Sequence, residues 1–311
     1  MSYELRAMSY NVGIIGIGKL GSIHLRIYKE LKGIEKIYLA DIDIGKLTFY
    51  ENLPSFKNYR ELKNKVDLIS IATPTSTHFE IAKFFLENKT PVLVEKPLTM
   101  NYEQAEKLIE ISKREKTILF VGHVERYNNA YIAVKKIVKD PLFIECNRLS
   151  PYPYRSLDTS VISDLMIHDL DIILSLVKDK IKKIEAKGVK VLSTSEDIAN
   201  ARITFEKGCV ANITSSRISS KKERKIRIFM HSCYISLDYA QQTVEIYQKL
   251  KKKIVKKILP IEKEQPLQKE IADFLNLVKK GNFNIESAEQ AKDAIKLACK
   301  IEKIIKVGSK K

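Results

Sequence analysis

No two cysteines in this sequence stand at a bridging or metal-binding spacing. The four present, Cys146, Cys209, Cys233 and Cys299, are scattered, which excludes a zinc framework or a disulfide scaffold and suits reduced thiols in a cytoplasmic protein; no metal is expected. No apolar run reaches membrane-spanning length, and Met1-Ser2-Tyr3-Glu4 does not open a signal-peptide layout, so no membrane association is expected. Internal repeats and low-complexity linkers are missing too. Acidic residues are in short supply, 38 against 55 basic ones, for a formal charge of +17. Such a surplus raises nucleic acid as a partner. The lysine-rich stretches at 219–225 and 249–253, however, lack the interleaved aromatics on which single strands stack, and they read as solvated faces. What is present is a 311-residue chain, 44% hydrophobic, long enough for two domains with cores of their own.

The stretch Val12-Gly13-Ile14-Ile15-Gly16-Ile17-Gly18-Lys19-Leu20-Gly21 organises the rest. An apolar run suited to a buried strand leads into G-x-G-x-x-G at Gly16, Gly18 and Gly21, and a helical pattern with Ile23, Ile27, Tyr28 and Leu31 on one face follows. In a dinucleotide site the first glycine permits the tight turn, the second lets a pyrophosphate reach the backbone, and the third lets the helix pack on the strand. The helix N-terminus, through Lys19 and Leu20, then faces the phosphates. A second strand at 36–40 ends at Asp41, 20 residues beyond Gly21. A carboxylate there accepts from ribose hydroxyls and repels a 2′-phosphate, which favours NAD over NADP; a plain turn residue is the alternative.

Strand and helix patterns alternate up to about residue 125, with strands at 66–72, 91–94 and 117–121 and helices at 76–88 and 101–113, which predicts a Rossmann-type doubly wound parallel sheet. Beyond it, short strand patterns at 142–148, 184–192, 198–205, 210–215, 225–230, 234–237 and 243–248 predict a large, open, mostly antiparallel sheet. Helices are expected at 129–138, 161–177, 268–279 and 287–305. The expected architecture is α/β, with a dinucleotide-binding domain over 1–125 and an α+β substrate-binding and oligomerisation domain over 126–311. Ligands of an open parallel sheet lie beyond the carboxyl ends of its strands. Gly16 to Gly21, Asp41, Thr73, Lys96 and His123 all follow strand ends, so one crevice covered by the second domain is expected.

Two stretches carry chemistry. In Glu95-Lys96-Pro97 the proline keeps Lys96 out of a helix, and an ammonium there can stabilise an alkoxide as it forms; a solvated surface pair is the plainer reading. In the stretch from Ser163 to Asp171, Asp164 and His168 stand at i and i+4, on one helix face. Histidine suits removal of a hydroxyl proton near neutral pH, although an amphipathic helix with a satisfied histidine has the same spacing.

Together these residues resemble the glucose–fructose oxidoreductase / inositol dehydrogenase / MocA family over nearly the whole chain. The resemblance rests on Gly16 to Gly21, Ala72-Thr73-Pro74-Thr75 with His78, Glu95-Lys96-Pro97-Leu98 and Asp164-x-x-x-His168. It implies NAD(P)-dependent oxidation of a sugar or polyol hydroxyl. Lys96 and His168 would form the catalytic pair, Asp164 would hold substrate, and Thr73, Pro74, His78 and Glu95 would lie along the cofactor. It also implies a homodimer or homotetramer built through the second sheet. His123 to Asn128, Arg148 to Tyr152 with Arg155 to Asp158, and Asp164 to Leu170 are similar to the branch that oxidises the 3-hydroxyl of UDP-N-acetylglucosamine. Arg148 and Arg155 would there grip a diphosphate by forked hydrogen bonds. One departure is Val161-Ile162-Ser163, where many relatives carry Gly-Gly, which alters the sugar pocket and not the acid–base pair. A free sugar or polyol as substrate, and a non-catalytic dinucleotide sensor, are the competing expectations.

Overall fold

Strands apolar on both faces need cover on both sides, and the first third of the chain supplies them. The computed structural model describes residues 9–152 and 159–308. It divides into two compact units, one made of the residues up to 122 with 267–292, the other of 123–266 with the residues from 293. The first crossing falls near the expected boundary, but a single division at 125 misses the return of the chain: the segment 267–292 belongs with the first unit.

The first unit runs β1 (Tyr10–Ile15), α1 (Lys19–Glu30), β2 (Ile34–Ala40), a single turn α2 (Ile44–Leu47), β3 (Ser55–Phe56), β4 (Leu68–Ile71), α3 (Thr75–Glu87), β5 (Val92–Glu95), α4 (Tyr102–Glu115) and β6 (Leu119–Gly122). The strand order is β3-β2-β1-β4-β5-β6 and every pairing is parallel. Every residue of β4, β5 and β6 is buried, as expected of central strands between helical layers. The order reverses between β1 and β4, where ligands of such sheets bind. The buried stripe of α1 is Gly21, His24, Leu25, Ile27 and Tyr28, rotated from the expected one because His24, a polar residue, is taken inside.

The second unit holds α5 (Asn129–Ile137), β7 (Phe143–Leu149), α6 (Ile167–Val177), β8 (Ile181–Val189), β9 (Ile198–Phe205), β10 (Val210–Ser216), β11 (Glu223–Met230), β12 (Cys233–Asp238), β13 (Thr243–Leu250) and β14 (Lys253–Leu259). Its sheet order is β14-β13-β12-β11-β7-β10-β9-β8, antiparallel except for β7 with β10. One face buries Ile144, Ile203, Ile213, Ile226, Ile228 and Ile235 with Ile172 of α6. The other face stays open, as in antiparallel sheets with one solvated side. Strand β14 was not expected: it is exposed over six of seven residues, so it shows no burial alternation to read. The last helices are α7 (Pro266–Lys280) and α8 (Glu286–Gly308). Among the described residues no helix is long and apolar enough to cross a membrane.

Candidate active site

The glycine loop adopts the form its spacing demands. Gly16 has φ +89, and a side chain there would meet Thr73 and Ala72 at 2.7–2.8 Å. At Gly21 a side chain would run into the Gly16 carbonyl, whereas at Gly18 nothing lies within 4 Å. Gly18 supplies no side-chain cap to α1, so the first N–H groups of that helix, from Lys19 and Leu20 onward, are available to an anion. Asp41 is 7% exposed. Its Oδ2 accepts the Ile17 N–H at 2.7 Å and its Oδ1 the Asp43 N–H at 2.9 Å. A carboxylate has about four acceptor positions, so capacity for a ribose hydroxyl remains. An open second glycine, an uncapped helix start and this carboxylate fit a dinucleotide such as NAD.

Thr73 and Pro74 open α3 at the carboxyl end of β4, Thr73 accepting the Thr77 hydroxyl at 2.7 Å. Two residues expected along the cofactor are buried and have partners within the chain. His78 is 1% exposed, with Nδ1 2.9 Å from the Pro97 carbonyl and Nε2 2.9 Å from the Thr73 carbonyl. It ties the β4–α3 turn to the turn after β5. Two carbonyl acceptors favour its charged form, but burial outweighs them and holds the imidazole below its usual range. Glu95 is buried, with Oε1 2.9 Å from His24 Nε2, while His24 Nδ1 lies 2.7 Å from Ser70 Oγ. Lys96, next in the chain, is only half-buried, as alternation along an extended segment requires; its peptide bond to Pro97 is cis.

In the second unit Asp164 lies in a π-helical turn, Ile162–Met166, that runs into α6 at Ile167. Such turns often mark functional positions. Asp164 is half-buried and His168 is 9% exposed. The turn is pinned from behind by Ser160 and Ser163, whose hydroxyls donate to Glu302 of α8 at 2.5 and 2.8 Å. Arg126 grips Asp171 with two bonds of 2.7 Å.

Arg148 does not carry the role expected of it. It is 2% exposed, forks onto Asp169 with two bonds of 2.9 Å and reaches Glu125 with a third, also 2.9 Å. Burial opposes its charge, but Asp169 and Glu125 overcome that and hold the guanidinium more firmly protonated than usual. Three of the five N–H donors of this buried guanidinium are thus spent on carboxylates of its own chain. Arg155 lies outside the described residues. Arg224, outside the expected set, pairs with Arg148 across β11 and β7, its guanidinium is 4.0 Å from Glu125, and its side chain stays 42% exposed. Nothing in the run 219–225 distinguishes it from the solvated lysines beside it.

Comparison with known proteins agrees. The family model for the oxidoreductase family with an NAD-binding Rossmann fold matches residues 10–123, and the GFO/IDH/MocA C-terminal domain matches 140–236. A UDP-N-acetylglucosamine 3-dehydrogenase of Acidithiobacillus ferrooxidans is 32% identical over 274 residues, 86% of this chain and 88% of that protein. A myo-inositol 2-dehydrogenase of Thermotoga maritima is 24% identical, over 76% of this chain and 77% of that one. A solved structure of the Acidithiobacillus ferrooxidans enzyme superposes with a TM-score of 0.88 at 29% identity, covering 96% of this chain and 99% of its own. A levoglucosan dehydrogenase in complex with NADH and levoglucosan shares the fold, with a TM-score of 0.84 at 15% identity over 96% of this chain and 98% of that one. The chain belongs to the Gfo/Idh/MocA family and is an oxidoreductase with an NAD-binding Rossmann domain.

Proposed function

We propose that the protein is a nucleotide-sugar dehydrogenase that oxidises the 3-hydroxyl of UDP-N-acetylglucosamine to the 3-oxo sugar with NAD, in the cytoplasm. The observation that carries this reading is the 32% identity, over 86% of the chain, to a relative named for that reaction. The backbone N–H groups of Gly18, Lys19 and Leu20 hold the pyrophosphate, and Asp41 takes the adenosine ribose. When bound, NAD supplies the acceptor for the hydride leaving the carbinol carbon. His168 removes the hydroxyl proton, Lys96 steadies the negative charge that grows on that oxygen, and Asp164 orients the sugar. His78 and Glu95 act one step back by fixing the turns on either side of Lys96.

A second reading, a free polyol such as an inositol, draws support from the internal commitment of Arg148, which removes one expected diphosphate ligand. The test is NADH absorbance on mixing protein and NAD with UDP-N-acetylglucosamine or with inositol. Turnover on the first alone is the expected outcome; turnover on inositol alone overturns it. Lys96→Ala and His168→Ala are each expected to lose about a hundredfold or more in kcat while still binding NAD. Wild-type turnover in either variant removes that residue from the mechanism.

A further inference from the structure

Beneath the end of β5 lies a group of buried polar side chains that the reaction above does not use, all within the first unit. Glu270 of α7 is fully buried, and neither of its carboxyl oxygens has a hydrogen-bond partner. A methyl group placed on Gly122, at the end of β6, would lie 3.1 Å from Glu270 Oε1 and 3.2 Å from Glu95 Oε2. The two carboxyl groups therefore face one spot that the bare glycine leaves open. Glu95 is held from its other side by His24 of α1, which also contacts Ser70 of β4. Tyr28, one turn further along α1, is fully buried with its hydroxyl among Ser70 and Glu270. On α7 itself the nearest charged residues are Lys269, half-buried, and Asp273, exposed.

Two ionised carboxylates cannot share so dry a place, because burial disfavours the charged form and like charges disfavour each other. One must keep its proton. Glu95 has a hydrogen-bond partner in His24 and so is the better carboxylate; Glu270 has none and is the better acid. We propose that Glu270 is a positioning residue, a neutral carboxylic acid that donates its proton in a hydrogen bond to the Glu95 carboxylate and so anchors the strand end that presents Lys96. The part about Lys96 rests on the function proposed above; the protonation of Glu270 does not. Burial first, and the charge of Glu95 second, hold the Glu270 carboxyl well above the usual carboxylate range.

The sign of the pH effect follows. Below the ordinary carboxylate range the folded and unfolded chains both carry this proton. Above it the unfolded chain releases the proton and the folded chain keeps it, so this group's contribution to stability falls as pH rises toward the folded value. Glu270→Gln keeps an N–H donor toward Glu95 and cannot ionise. Its Tm relative to wild type is expected to climb as pH rises above the ordinary carboxylate range. Wild type at neutral pH should show the infrared carbonyl band of a protonated carboxyl, lost in Glu270→Gln. Parallel Tm curves or a missing band overturn the neutral acid.

For positioning, Glu270→Gln is expected to keep kcat within about threefold, while Glu270→Met, similar in volume but without a donor, loses about tenfold or more in kcat with the KM for NAD little changed. Glu270→Asp, which keeps the acid and shortens its reach, replaces the Met variant if that one does not fold, with the same expected loss. Wild-type kcat in Glu270→Met, or in Glu270→Asp where that variant stands in for it, overturns positioning. Full turnover in Lys96→Ala overturns instead the mechanism it serves, and the infrared band still reports the proton.

Discussion

Arg148 and Arg224 sit opposite each other on neighbouring strands, and burial gives them different work. Arg148 is the buried counter-ion of Asp169 and Glu125. Removing it as Arg148→Ala leaves two buried carboxylates uncompensated and is expected to cost about 3–5 kcal/mol, read as a lower urea midpoint. Arg224 is half in solvent, so Arg224→Ala should change stability by less than about 1 kcal/mol. If the proposed substrate is correct, it should raise KM for a UDP-sugar and leave any inositol activity unchanged. A UDP-sugar KM that rises in Arg148→Ala and not in Arg224→Ala would reverse the assignment. The sequence shows an arginine at the end of a strand. It cannot show that Glu125 and Asp169, 23 and 21 positions away, have already taken its fork. The same blindness hid Glu270, one acid in an amphipathic helix, and His24, a polar residue outside the expected apolar face of α1.

At the scale of the element, the turn between β1 and α1 separates binding from packing. Gly18→Ala meets open space and should leave Tm unchanged while weakening NAD binding, because a methyl would stand where the pyrophosphate approaches. Gly21→Ala drives a methyl into the Gly16 carbonyl and should cost about 1–3 kcal/mol through forced backbone shifts. Thermal melts with and without NAD distinguish the two; equal melting losses without NAD would refute the division. This strand–turn–helix was legible because everything that specifies it is local: an apolar run, three glycines and a helical stripe. The π-helical turn holding Asp164 was not, since its hydroxyl contacts to Glu302 come from a helix more than a hundred residues away. Nor was β14, whose lysines match the pattern of a solvated loop and which pairs along β13, with Lys256 reaching Glu245 across the two strands.

For the molecule as a whole, the open face of the second sheet carries an aromatic row. Phe143 meets Phe229 at 5.7 Å, Phe229 stacks on Tyr234 at 5.2 Å, and Tyr234 lies flat on Tyr247 at 4.4 Å. Ile254 and Ile258 of β14, 78% and 62% exposed, follow on the same face by strand alternation. Exposed apolar rows of this kind mark association surfaces. Light scattering is expected to give a dimer or tetramer, and the double variant Ile254→Glu, Ile258→Glu a smaller species. A wild-type monomer at micromolar concentration would set this aside.

The return of residues 267–292 to the first unit has its own effect on how the chain is made. Phe120 of β6 finds its ring partner, at 5.6 Å, in Phe274, and Ile271 and Leu275 of the same helix are buried with it. During synthesis the residues up to 122 emerge before 267–292 and wait, one apolar flank bare, until that helix has followed them. The order of translation is therefore not the order of folding, and a nascent chain stalled in the second sheet would present that flank to chaperones.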